Sequence, residues 1–212
     1  MTRPRSRMAA VALVALLATA LSGCAGGWSA ASLKTKLAND PAVVSVSLAQ
    51  GSSIDAGDEA FFDIDLRKSA TEADVARVAE TIRADVPKVG DGPLVNIVIG
   101  PEPSDSSTPP TLHLEYFGMG KKALSQQIAY WGALRRTFGA ELARFELTAP
   151  LDLGDRGGNR FVGVTLPSTA DPSDQAAAYA TGAGVADPVP TPTQWEITIS
   201  GHDPLDFESD GG

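Results

Sequence analysis

One cysteine, two histidines and a 6% share of aromatic residues set the first limits on this sequence of 212 residues. With Cys24 alone there is no disulfide within the chain and no cysteine cage for a metal. His113 and His202 are the whole imidazole supply, no Gly-x-Ser-x-Gly elbow occurs, and no serine stands in a motif with a base, so no nucleophilic triad can be assigned. Basic residues are scarce as well: 17 Lys and Arg against 26 Asp and Glu give a net charge of -9, which argues against nucleic acid as a partner, because phosphate binding needs clustered cations. Gly118-x-Gly120-Lys121-Lys122 lacks the spacing of a phosphate loop or a dinucleotide fingerprint and reads as a turn and helix start. The apolar run from Met8 to Leu21 is shorter than the roughly 20 residues a comfortable membrane-spanning helix needs.

What that run has is the layout of an export signal: Arg3, Arg5 and Arg7, an apolar stretch, then small residues. It ends in Leu21-Ser22-Gly23-Cys24, which resembles the lipobox of bacterial lipoproteins at every position. The resemblance implies cleavage between Gly23 and Cys24 and a diacylglycerol on the Cys24 thiol, hence a lipid anchor (palmitate or a similar acyl chain) in the cell membrane with the protein on its extracytoplasmic face. Loss of the three signal arginines, and of no acid, takes the net charge from -9 to -12. Such a body is repelled by anionic headgroups, so attachment is expected through the acyl chains.

Periodicity divides the rest. Residues 1–23 read as signal peptide and 24–31 as a short Gly/Ala/Ser tether. A short helix over 32–38, strands at 43–49 and 61–66, a helix from a Ser69/Glu72 capping box to Val86, and a strand at 94–99 make a first unit, 32–100. The stretch 101–110, dominated by Pro, Ser and Asp, reads as a linker. In the second unit, 111–202, Leu112, Leu114 and Tyr116 alternate in a strand, Lys121–Phe138 carries an apolar stripe, and Ala143, Phe145 and Leu147 alternate again. Val162, Val164 and Leu166 form a further strand, Asp171-Pro172 starts a helix, and Trp195, Ile197 and Ile199 end the pattern. Residues 203–212 read as an acidic flexible tail.

The order β-α-β-β-α-β over 110–201 is that of ferredoxin-like domains, and 32–100 has the same order without its first strand. The expected fold is therefore α+β: two ferredoxin-like sandwich halves, each an antiparallel sheet with helices on one face, with one continuous sheet as an option. No motif stands out as repeated between the halves.

Alternation places Asp63, Asp65, Glu115, Glu146 and Glu196 with His113 and Arg144 on outward strand positions, where a solvated face is the plain reading and an acid/base or metal site the sharper one. The helix 121–138 is basic and holds Tyr130 and Trp131; its stripe is read as core, with Arg135 packing over Trp131 four residues earlier. His202 with Asp203, Asp206, Glu208 and Asp210 lacks the order of a calcium loop.

Cys24 is the one site residue the sequence names. No catalytic residue, cofactor-binding residue or metal ligand is assigned. The expected function is a non-enzymatic binding or scaffold module at the cell envelope, whose partner is an envelope protein or a small ligand. The alternative is a small-ligand receptor or carrier with an apolar pocket walled by Trp195, Tyr116 and Phe117; further off stands an enzyme using Asp63, Asp65, His113 and Glu115.

The anchor has a direct test. Because Cys24 lies outside every periodic segment, Cys24→Ala should fold normally yet take up no fatty-acid label, leaving an unprocessed or soluble exported protein. A variant still acylated in the membrane would contradict the lipobox.

Overall fold

Alternation of apolar and polar residues builds the strands, and helical stripes build the layer that covers them. The computed structural model describes residues 29–53, 57–86, 93–99, 111–115, 118–148, 159–189 and 191–209. In chain order the elements are α1 (Ala30–Ala38), β1 (Val43–Ser53), β2 (Gly57–Leu66), α2 (Glu72–Asp85), β3 (Leu94–Ile99), β4 (Thr111–Leu114) and α3 (Lys121–Phe138). After a 3-10 turn, β5 (Leu142–Thr148), β6 (Asn159–Leu166), α4 (Pro172–Ala183), β7 (Thr193–Ile199) and β8 (Leu205–Ser209) follow. The signal, most of the tether, the linker and Cys24 lie outside the described residues.

All eight strands belong to one sheet and lie side by side in chain order. The pairs β1/β2, β3/β4, β5/β6 and β7/β8 are antiparallel. Between them β2/β3, β4/β5 and β6/β7 are parallel. The chain is thus a succession of helix–strand–strand units, and each helix from α2 onward bridges two neighbouring parallel strands. Crossovers of one hand that always step the same way put every helix on the same face of the sheet. The core agrees: Leu33 and Leu37 of α1, Val75 and Ile82 of α2, Leu124, Ile128 and Trp131 of α3 and Ala178 of α4 share one cluster with Phe62, Ile64, Val95, Ile97, Leu112, Phe145, Val162, Trp195 and Ile197.

The α+β class and the continuous sheet are therefore present, and the division into ferredoxin-like halves is corrected. A split βαβ needs another strand between the two that a helix joins. Here the joined strands are direct neighbours. The string over 110–201 misleads because it starts at β4, which pairs antiparallel with β3 in the preceding unit. Counted from a helix, the chain divides into α1–β4 and α3–β8, and a sequence repeat emerges at a spacing of 100. Phe61, Leu66, Ala70, Asp74, Ala76, Ile97 and Ile99 match Phe161, Leu166, Ala170, Asp174, Ala176, Ile197 and Ile199.

Local geometry repeats with it. The Ala70 amide donates to the Arg67 carbonyl at 2.8 Å, and the Ala170 amide to the Pro167 carbonyl at 2.9 Å. Asp74 and Asp174 each accept from the N-cap amide, that of Thr71 and of Asp171, at 2.8 Å. The capping box of α2 is accordingly Thr71/Asp74, two residues beyond the Ser69/Glu72 read from sequence. Bonds from the Thr71 amide and hydroxyl, then Arg77, hold the Asp74 carboxyl down at about 2. Core volumes compensate between the repeats: Ile82 and Val95 stand where Gly182 and Trp195 do. A Cβ on Gly182 would lie 2.4 Å from the Trp195 ring, so the glycine makes room for the indole.

The structure departs from the expected pattern elsewhere too. Ser29 caps α1 by accepting from the Ser32 amide at 3.3 Å, so that helix starts inside the stretch read as tether. The acidic tail contains β8, whose Phe207 pairs with Trp195 across the ladder and stacks on Tyr179 at 4.4 Å. A register shift between Leu142 and Arg144 turns Leu142 inward in place of Ala143.

Arg160, which the sequence reading passed over, is 2% exposed at the start of β6. Its guanidinium donates to Gln127 Oε1 of α3 at 2.8 Å, Asp187 at 2.7 Å, Thr193 Oγ1 at 3.2 Å and the Val189 carbonyl at 3.1 Å. It lies 4.3 Å over the Tyr130 ring, so one cation ties α3, β6 and the α4–β7 connection. Burial pushes the Tyr130 phenol up. Removing one partner of a buried pair leaves the other uncompensated. Arg160→Leu should therefore cost roughly 3 kcal/mol in denaturant unfolding, the low end for a buried pair because Asp187 keeps some water. A loss within about half a kcal/mol would show that the hub is not stabilising.

Candidate functional site

The face opposite the helices carries the polar half of each strand. Register aligns Ser47, Asp63, Asn96, His113, Glu146, Phe161, Gln194 and Glu208 in one row across the sheet. The sequence expectation that Asp63, Asp65, His113, Glu115, Arg144, Glu146 and Glu196 share a face is met by this register, but only some of them converge.

The centre is His113, an outward residue of β4. Asn96, its partner on β3, was missed in the sequence because it sits inside the apolar run Leu94–Ile99; a lone polar residue at an outward position was the available signal. Asp63 Oδ1 accepts from Asn96 Nδ2 at 2.9 Å, and Ser47 Oγ donates to the other oxygen of Asp63 at 3.2 Å. Since an ionised carboxylate only accepts, Asp63 fixes the Asn96 amide with Oδ1 towards His113. The His113 Nδ1 lies 2.5 Å from that oxygen and must be its donor.

The far side of the imidazole meets two carboxylates. Glu115 follows His113 by two residues on the same face, and its amide extends the ladder past β4 by donating to the Leu147 carbonyl at 2.9 Å. Its Oε1 is 2.8 Å from His113 Nε2, and Glu146 Oε1, from the register partner on β5, is 4.0 Å away. Glu146 gives its other oxygen to Arg144, whose guanidinium also lies 5.4 Å from the Phe161 ring. The His113 and Glu146 side chains are 16% and 13% exposed, far less than an open face suggests, because neighbours in the row crowd them. Asp65 stands apart, bonded to Ser45 one row away, and Glu196 pairs with Gly163 and Asp206 towards the far edge.

Other sequence candidates resolve differently. The apolar stripe of α3 is buried, with Trp131 and Leu134 at 0%, so this basic helix is a core helix. Arg135 lies 4.8 Å over Trp131 as expected, and burial lowers its pKa. No helix among the described residues is long and apolar enough to cross a membrane. Gly120 has φ -66, so the Gly-Lys-Lys turn imposes no glycine-only backbone there. The described strands form a single sheet, so among the described residues there is no space between sheets: Trp195 is 1% exposed core, and Tyr116 and Phe117 lie outside the described residues. A cleft of about 860 Å³ does open between the start of α2 and the end of α3, but Glu72, Arg135 and Arg136 line it beside Gly132. His202 is exposed in the β7–β8 turn, with Asp203, Asp206 and Glu208 exposed around it and Asp210 outside the described residues.

The hydrogen-bond relay places a proton on Nδ1, and that can be measured. Nitrogen-15 spectra of His113 should show Nδ1 carrying its proton in the wild type, and Asn96→Leu should release that preference. An unchanged pattern in Asn96→Leu would mean that Asn96 does not orient the ring.

Comparison of the chain with protein-family models, with curated proteins and with solved structures finds no match, so function rests on this geometry.

Proposed function

We propose that this protein is a binding module held at the extracytoplasmic face of the cell membrane by acyl chains on Cys24, and that it works by presenting the open face of its sheet. The observation that carries this reading is the connected row Asp63, Asn96, His113, Glu115 and Glu146 on the face away from the helices, set against a filled apolar core on the other side. The lipobox pattern supports the location.

Charge gives the partner its chemistry. Asp63, Asp65, Glu146, Glu196, Asp206 and Glu208 stand on the face against Arg144. A cationic surface fits this field better than an anionic one, and such an encounter weakens as salt screens it.

The test is positional. A photo-crosslinking residue placed at Ser47 or Gln194, both exposed on the face, should give adducts in the native envelope that fade with added salt. The same residue at Thr35 or Ala84, exposed in the helix layer, should give none of those adducts. Adducts from the helix layer alone would overturn the assignment.

A further inference from the structure

We propose that His113, Glu115 and Glu146 form a site for a divalent transition metal, with Zn²⁺ as the ion that fits best. Their ligand atoms all lie within 4.8 Å of one another. The sheet delivers them: His113 and Glu115 alternate on one face of a strand, and Glu146 is the register partner of His113 on the next. The site stands whether or not the face binds a partner.

The orientation of the imidazole is the second and independent observation. Asp63 sets the Asn96 amide, the amide takes the Nδ1 proton, and Nε2 is turned towards Glu115 Oε1 at 2.8 Å with Glu146 Oε1 at 4.0 Å. A neutral ring in this tautomer aims a lone pair at two carboxylates, an arrangement that calls for a positive centre among the three. A carboxylate or amide relay behind a histidine is how metal-binding imidazoles are oriented and made more basic. A second proton on Nε2 would also fill the role, and the experiment separates the two.

The donor set selects the ion. One imidazole nitrogen and two carboxylate oxygens suit Zn²⁺, whereas Ca²⁺ and Mg²⁺ call for oxygen alone. Arg144 occupies one oxygen of Glu146 and leaves Oε1 for a single bond. Tetrahedral bonds of about 2.0–2.1 Å put neighbouring ligand atoms ~3.3 Å apart, so Glu115 moves out slightly and Glu146 in. Glu115, 33% exposed, has the room. Three protein donors leave a fourth position towards solvent, where water or a donor group of a partner can bind.

The full chain, stripped of metal with a chelator and held in detergent, should be titrated with Zn²⁺ by calorimetry, with Mg²⁺ and Ca²⁺ as controls. One saturable Zn²⁺ per chain is expected, lost in His113→Ala and in Glu146→Gln, and weakened about 10- to 100-fold in Asn96→Leu at unchanged stoichiometry. Because the chain has only two histidines, the wild type offers a readout that needs no variant: Zn²⁺ should shift the ring signals of His113 and leave those of His202 in place. Absence of saturable Zn²⁺ binding, equal binding by a folded His113→Ala, or a shift of His202 alone would each overturn the site and leave the His113–Glu115 contact as a proton-mediated pair. No envelope partner enters this test, so its failure is distinct from failure of the crosslinking experiment.

Discussion

Everything in this molecule depends on the direction in which its crossovers step. Each helix from α2 onward links a strand to its immediate parallel neighbour, always advancing the same way along the sheet. With one handedness for such connections, α2, α3 and α4 must fall on one side. The consequence is an asymmetric slab in which, among the described residues, one face of the sheet holds the apolar core and the other carries its own side chains. A sheet wound back through its centre would have covered both faces.

The open face solves its own problem of order. A polar side chain on a solvated sheet is ordinarily free to choose among rotamers, and a single exposed bond contributes only about 1 kcal/mol. Linking Ser47, Asp63, Asn96, His113 and Glu115 makes each choice depend on the next, because Asp63 can only accept and so turns the Asn96 oxygen to the His113 ring. Stability gains little from this; orientation gains a great deal.

Much of the architecture was legible in the sequence because the strongest signals were periodic. The helix Lys121–Phe138, the Asp171-Pro172 helix start and the alternation of Val162, Val164 and Leu166 correspond to α3, α4 and β6. Strand order was not legible, since the same local string of helices and strands serves both a split and an adjacent βαβ unit; only pairing over long range distinguishes them. β8 was hidden by composition: Asp206 and Glu208 mark a tail, while the Leu205 and Phe207 between them are the weaker sign of a strand. Arg160 gave no signal because its partners Gln127 and Asp187 lie on distant elements. Of the site, the shared face followed from period two, whereas the choice of Glu146 and Asn96 as neighbours of His113 followed from register, which no local pattern encodes.

The repeat at a spacing of 100 residues gives the location of that site a particular meaning. His113 and Glu115 belong to the last strand of the first unit, and Glu146 to the first strand of the second. Neither unit carries the set alone, and the positions equivalent to Asp63 and Asn96 in the second are Gly163 and Glu196, so it has not been duplicated with the fold. The constellation is a property of the seam: it comes into being where two like pieces of sheet are joined, and it reports on whether they are.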